Sequence, residues 1–144
     1  MGKILKIKGA NFAEAAIEAP LEITYRLGDY GHVGIMYNTS TYTIETATGT
    51  SLGIIPIPSG YSKVDISGYT SLSVRSCKFC NNIPSGVVGE VLSVILSADM
   101  SNSNNKTIDI PTNAKSMVIY IKSNSPRPYN DENAILKFYN DENA

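Results

Sequence analysis

Short runs of alternating apolar and polar residues constrain the fold of this chain more than any other feature. In LEITYRL, Leu21, Ile23 and Tyr25 share one face and Glu22 and Thr24 the other, the period of two that is typical of a half-buried strand. The same texture recurs in TYTIET, KVDIS, SLSVRS, KTIDIP and AILKFY. Turn-forming Gly, Pro, Ser and Asn separate these runs. About eight to ten short strands without a long helix predict an all-β fold, a sandwich or barrel.

Two segments are candidates for the interior. VVGEVLSVILSAD (residues 87–99) is the longest apolar run, and it is expected to form a central, buried strand. SMVIYIK (residues 116–122) carries apolar side chains on both faces, whereas a strand with one face in water would alternate cleanly. Its second cover must come from a loop, from the C-terminal strand or from another copy of the chain. Another copy predicts a homo-oligomer, a trimer or alternatively a dimer.

The first twenty residues differ in texture from the rest. KILKIK can form a short strand, and NFAEAAIEA can form a brief helix capped by Asn11 and stopped by Pro20. Neither piece is long enough to make a core alone. We therefore expect residues 1–20 to be an arm that attaches to a particle or to neighbouring copies. The residues expected to make this attachment are Lys3, Ile4, Leu5, Ile7 and Phe12.

The hexapeptide YNDENA occurs twice, at residues 129–134 and 139–144. An even shift restores the same face of an extended chain, so the repeat is more coherent on a strand than on a helix. We interpret it as a local duplication that flanks the last strand, AILKFY. The sandwich is then expected over 21–128, with the repeat and the last strand over 129–144. A calcium site built from the repeated Asp and Glu residues would match no EF-hand loop.

Composition and charge argue against several classes of function. A net charge of −1 and a pI near 5.8 supply no basic stripe, so a nucleic-acid partner is not expected. The sequence contains no apolar run long enough to cross a membrane, and we expect no secretory signal at its N-terminus. The two cysteines, Cys77 and Cys80, are half a zinc site at most. We expect them to be reduced thiols at a strand end, with no metal or cofactor.

Candidate binding residues lie in GDYGHVGIMYNTSTY (residues 28–42). Tyr30, Tyr37 and Tyr42 offer rings and hydroxyl groups suited to a sugar, and His32 offers a hydrogen-bonding ring. The alternative is that these tyrosines pack against neighbouring strands. A catalytic triad through His32 and Asp29 would need a serine, but no GxSxG elbow is present. No catalytic residue is assigned, and we expect a protein without enzymatic activity.

Two longer segments carry a resemblance to a known group of proteins. SKVDISGYTSLSV (62–74) and VILSADMSNSNNKTIDIPTNAKSMVIYIKS (94–123) resemble a hairpin and a strand pair of jelly-roll, carbohydrate-binding-module-like domains in phage fibre and adhesin proteins. GKILKIKGANF (2–12) is similar to the start of many small proteins from phages of gut Bacteroidetes, including the crAss-like group.

The resemblance implies an antiparallel, jelly-roll-like β-sandwich with a short N-terminal arm. It also implies a structural virion protein, a fibre, head-fibre or capsid decoration subunit assembled in the host cytoplasm. Its partners would be capsid or fibre proteins and further copies of itself, since such domains usually form symmetric oligomers. The alternative function is that of a carbohydrate-binding adhesin module that recognises cell-surface glycans.

Overall fold

The structure of the chain is a computed structural model that describes residues 20–69, 74–100, 105–122 and 134–140. A short 3-10 helix spans Leu27–Tyr30. The strands are β1 (Glu22–Arg26), β2 (Gly31–Tyr37), β3 (Ile44–Pro56), β4 (Lys63–Ser67), β5 (Val74–Cys80), β6 (Val94–Asp99), β7 (Asn105–Asp109), β8 (Ser116–Lys122) and β9 (Ile135–Tyr139).

The strands form two antiparallel sheets that pack face to face. One sheet has the order β1-β9-β4-β7 and the other β2-β3-β8-β5-β6. The pairs β1–β9, β3–β8, β4–β7 and β5–β6 are nested within one another along the chain. This is the nesting of a long hairpin rolled into a jelly roll, with β2 added at one edge. The predicted all-β sandwich is confirmed.

Side chains from both sheets fill a first core. Phe79, Met117 and Ile119 from the five-stranded sheet meet Leu136 and Phe138 of β9, and all five are fully buried. The alternation predicted for the strands explains this burial, because every second residue of β4 and β9 faces inward. The last strand, β9, lies between β1 and β4 in the middle of its sheet, so it is part of the sandwich.

A second core covers the outer face of the five-stranded sheet. Its fully or nearly buried members are Ile35, Tyr37, Ile44, Leu52, Ile54, Cys80, Leu92 and Val118. Because Val118 belongs to this core and Met117 to the first, β8 is covered on both faces, as its sequence predicted. The described residues that cover the outer face of β8 belong to the same chain. One of them, Leu92, lies in a loop, and a loop was one of the three expected sources of this cover. The two apolar faces of β8 therefore give no argument for another copy of the chain.

The second core exists because the β2–β3 hairpin bends. Val33 pairs with Ser51, but Ile35 pairs with Thr46, so residues 47–50 bulge out of the ladder. The buried hydroxyl of Thr50 donates to the carbonyl of Ile35 at 3.1 Å and holds this bend. The far half of the hairpin thereby lies over the outer face of β8 and β5, where Ile35 and the residues after it pack.

A loop over residues 81–93 completes this outer layer. Its ends are joined by hydrogen bonds between Asn81 N–H and the Ser93 carbonyl and between the Asn82 side chain and the Val91 carbonyl. Inside the loop, the Glu90 carboxylate accepts three backbone N–H groups, from residues 85–87. These hydrogen bonds, that of Ser85 first, lower the pKa of Glu90. The charged form of the Glu90 carboxylate therefore holds the loop in place.

Two expectations about individual strands are wrong. Residues 87–93 belong to the loop, and β6 is an edge strand whose Ile95 and Leu96 are each 42% exposed. The apolar run at 87–99 is thus not a central, buried strand. The hairpin implied over 62–74 is also absent, because β4 and β5 lie in different sheets. An apolar run predicts burial, but whether a segment forms a strand and where that strand lies in a sheet depend on tertiary partners.

Candidate functional site

An open groove of about 480 Å³ lies at one end of the sandwich. We call it the end groove. It is formed by the β3–β4 connection, the β7–β8 connection and Ile83 of the outer loop. Its lining residues are Ile57, Pro58, Ser59, Gly60, Tyr61, Ser62, Ile83, Ile110, Pro111, Thr112, Ala114 and Lys115. The groove is apolar with a few hydroxyl groups and one lysine at its margin, a composition suited to an apolar ligand or segment.

The walls of the end groove are held in place by backbone hydrogen bonds. Ile57 N–H donates to the Lys115 carbonyl at 3.0 Å, and Ile110 N–H donates to the Ser62 carbonyl at 2.8 Å. Lys115 N–H donates in turn to the carbonyl of Cys80 at the end of β5. The two connections are therefore tied to each other and to both sheets. A groove fixed in this way is formed before anything binds to it.

Both ends of the described fold lie beside the end groove. The hydroxyl of Tyr61, a lining residue, donates to the Pro20 carbonyl at 2.8 Å. The side chain of Asn140 donates to the carbonyl of Gly60 at 2.7 Å. The chain segment before residue 20 thus joins the sandwich at the lip of the groove. The residues expected to make the attachment, Lys3, Ile4, Leu5, Ile7 and Phe12, lie outside the described residues.

The four candidate sugar-binding residues fall into three separate places. Tyr30 packs against the first core, with its ring centroid 5.2 Å from that of Tyr25. His32 lies on β2 against the outer loop, where a Cβ built on Gly86 would come within 2.6 Å of its Nδ1 atom. Only Tyr37 and Tyr42 are brought together, with ring centroids 6.0 Å apart. The structure does not assemble the four into one site.

Tyr37 and Tyr42 belong to a cluster on the outer face of the five-stranded sheet. The Tyr37 ring is almost fully buried, meets the Tyr120 ring edge-on at 5.7 Å, and its hydroxyl shares a 2.8 Å hydrogen bond with Ser76. The Lys78 ammonium lies 5.8 Å from the Tyr37 ring centroid and 5.7 Å from that of Tyr42, within the range of a cation–π contact. This geometry favours packing over sugar binding for Tyr37.

Replacing Tyr37 is expected to cost stability. Tyr37→Ala should lower the free energy of unfolding by about 3 kcal/mol because it empties part of the second core. Tyr37→Phe should lower it by about 1 kcal/mol, since only the hydrogen bond to Ser76 is lost. Tyr42→Ala, at a half-buried ring, should cost less than Tyr37→Ala. Urea denaturation measures all three, and glycan-array binding that is lost in Tyr37→Ala without any loss of stability would contradict this assignment.

Two acidic side chains of the four-stranded sheet, Asp65 and Asp109, are held by cross-strand partners. Asp65 accepts hydrogen bonds from the hydroxyl groups of Thr107 at 2.7 Å and Tyr139 at 2.9 Å, and Lys137 lies 3.9 Å away. The hydrogen bond to Asp65 raises the pKa of Tyr139. Asp109 pairs with Lys63 across the same face. These groups therefore stabilise the exposed surface of the sheet.

The surroundings of the two thiols disfavour the thiolate form. Cys77 and Cys80 are both free and buried, but only Cys80 lies at the end of β5, as expected, whereas Cys77 lies in the middle of the strand. Burial raises the pKa of Cys77 well above its ordinary value and that of Cys80 to about 11, so both favour the protonated form. Within the described part of the chain, no three His, Cys, Asp or Glu side chains are grouped to hold a metal ion.

The end groove was not found from the sequence, although a signal for it exists. Its two connections both begin with an Ile-Pro pair directly after a strand, at 57–58 and 110–111. Pro ends a strand and keeps the residue before it extended, so each pair leaves an apolar side chain at the end of the sandwich. That the two pairs face each other depends on the pairing of β3 with β8, which local pattern does not reveal.

No protein-family model, curated protein or solved structure matches this chain. No helix among the described residues is long and apolar enough to cross a membrane.

Proposed function

We propose that this chain is a structural, non-enzymatic subunit of a phage particle, a fibre, head-fibre or capsid decoration protein. The N-terminal arm anchors it to capsid or fibre proteins or to neighbouring copies, and the sandwich faces outward. The jelly-roll nesting of the strands fits the domains that SKVDISGYTSLSV and the 94–123 segment resemble. Its place would be the virion, after assembly in the host cytoplasm.

The observation that carries this proposal is the position of Pro20. The hydrogen bond from Tyr61 holds it at the end of the sandwich that also carries the end groove and Asn140. The last residues of β4, β6 and β8 and the first residues of β5, β7 and β9 lie at the opposite end. A domain with its attachment segment at one end presents the other end outward, as a fibre or decoration subunit requires.

The contacts of the carboxylate, imidazole and thiol side chains also support a structural role. Glu90 fixes the outer loop, Asp65 bridges three strands, and His32 packs against Gly86. Cys77 and Cys80 are buried at raised pKa values. Each of these groups therefore stabilises the fold where the structure places it, and active-site groups are instead arranged around a cleft.

The alternative function, a carbohydrate-binding adhesin module, is favoured by one observation. The solvent face of the four-stranded sheet carries the ring of Tyr139 beside Lys137, whose ammonium lies 5.4 Å from the ring centroid, and beside Asp65. An aromatic ring next to charged hydrogen-bonding groups suits a sugar. Tyr139→Ala would abolish glycan-array binding if this face is a sugar site.

Deleting residues 1–19 is expected to leave the sandwich folded and to prevent its incorporation into the particle. The described cores contain no residue before 20, so the melting temperature should stay within a few degrees. Particles made with the truncated chain should lack it when their proteins are identified by mass spectrometry. A chain ending at Asn140 is the control, and it should be incorporated normally. A truncated protein that unfolds, or that enters the particle, contradicts the proposal.

A further inference from the structure

We propose that the end groove is the acceptor for the N-terminal arm of a neighbouring copy of this chain. The segment that binds would be KILKIKGANF, residues 3–12, so that copies are joined by exchanged arms. This inference rests on the proposed role of the arm as an attachment segment and names its partner. The proposed anchoring role alone assigns no function to the end groove, and this inference assigns one.

The groove matches the arm in chemistry. Its floor is continuous with the first core, because Ile57, Tyr61 and Ile110 line the groove and also pack against that core. At its rim, the Ile83 side chain is 54% exposed. An apolar segment laid into the groove would remove this surface from water. Ile4, Leu5, Ile7 and Phe12 are the apolar side chains that the arm offers.

The position of Pro20 brings the arm to the right place. Nineteen residues precede Pro20, and an extended chain of that length spans up to roughly 60 Å. A domain of this size has a radius of gyration of roughly 15 Å, so the arm is long enough to reach a groove on an adjacent copy. Because Tyr61 holds Pro20 at the lip, the arm starts at the end where grooves of adjoining copies would meet.

Symmetry favours a second copy as the source of the arm. In each copy, Pro20, where the arm joins the sandwich, lies at the same end as the groove. When copies meet through this end around a rotation axis, every arm finds a groove and the assembly closes. A trimer or a dimer satisfies this condition equally. Docking of each arm into the groove of its own chain is the competing arrangement, and the experiment below separates the two.

The test uses purified protein and a groove variant with a matched control. Ile83→Asp places a charge at the groove rim, and Val33→Asp places the same charge at a comparably exposed residue, 64% against 54%, outside the groove. Both sites are exposed, so both variants should fold. Light scattering at micromolar concentration should give an oligomer for the unaltered chain and for Val33→Asp. It should give a monomer near 15.5 kDa for Ile83→Asp, and a monomer for the chain lacking residues 1–19.

A peptide experiment completes the test. A labelled peptide of residues 2–13 should bind the chain lacking residues 1–19, measured by fluorescence anisotropy. Ile83→Asp in that truncated chain should weaken binding by about tenfold or more, because a charge in an apolar contact loses its hydration. Val33→Asp should leave binding unchanged.

Three results would overturn the inference. The first is an unaltered chain that stays monomeric on concentrating while the truncated chain binds the peptide, which would assign the groove to the chain's own arm. The second is an oligomer that survives Ile83→Asp. The third is peptide binding that Ile83→Asp does not weaken. None of these measures incorporation into a particle, so failure here and failure of the proposed function are observed separately.

Discussion

A chain that ends at Asn133 is expected not to fold. It lacks β9, which lies between β1 and β4 and pairs with both along its whole length. Leu136 and Phe138 are fully buried in the first core, and the loss of each side chain alone is worth about 2–5 kcal/mol. Their sum is comparable with the whole stability of a domain, about 5–15 kcal/mol, before the lost ladder hydrogen bonds are counted.

Circular dichroism and urea denaturation test this expectation. The truncated chain should show no cooperative transition, whereas a chain ending at Asn140 should unfold at nearly the same urea concentration as the full chain. That control removes only residues 141–144 and keeps the bond from Asn140 to Gly60. A cooperative transition in the chain ending at Asn133 would show that β9 is dispensable, and the described topology would then be wrong.

Gly53→Ala is expected to destabilise the sandwich by about 1–3 kcal/mol through overpacking. Gly53 lies on β3, and a Cβ built there would come within 2.6 Å of the Leu27 Cδ1 atom. Leu27 projects from the 3-10 helix into the first core and is fully buried, so it has little room to move. The helix and β3 are therefore packed closely because residue 53 has no side chain.

A double-mutant cycle makes this prediction specific. Leu27→Ala alone should cost about 2–5 kcal/mol, the usual effect of emptying a buried leucine site. Because Leu27→Ala removes the atom that the new Cβ would strike, the double variant should be more stable than the sum of the two single effects requires. Urea denaturation of the four proteins gives the coupling. Strict additivity would mean that Gly53 and Leu27 do not limit each other.

Local patterns in the sequence were sufficient for the fold class and for the inward faces of several strands. The period of two in KVDIS and AILKFY places Val64, Ile66, Leu136 and Phe138 inward, and all four are fully buried. The apolar residues on both faces of SMVIYIK correctly predicted a strand covered on both sides. These features depend on side-chain alternation alone, which the sequence displays directly.

Features that depend on long-range pairing could not be predicted. The apolar run at 87–99 contains a loop and an edge strand because residues 89–92 pair with residues 42–44 of the bent hairpin. The bend itself follows from a register shift between Val33 and Ile35, which no periodicity marks. The end groove likewise needs two connections that are about fifty residues apart in the chain and meet only after the sheets have formed.

The candidate binding residues also show the difference between features that local sequence predicts and features that depend on the fold. Tyr37 and Tyr42 are close in sequence and are brought together by the bent hairpin, so their neighbourhood was accessible from the sequence. Tyr30 and His32 lie seven and five residues before Tyr37 in the chain but face other parts of the fold. Tyr30 belongs to the 3-10 helix and His32 to the start of β2, whereas Tyr37 lies at the far end of that strand. Proximity in sequence was therefore a poor guide to a shared site.

A cryo-electron microscopy reconstruction of the purified particle shows directly how the sandwich is placed on it. We predict density for the sandwich with the end groove, residues 57–62 and 110–115, facing the particle or a neighbouring copy. The opposite end, where β4, β6 and β8 end and β5, β7 and β9 begin, should point outward. A particle without this density, or a sandwich bound through that opposite end, would contradict the account.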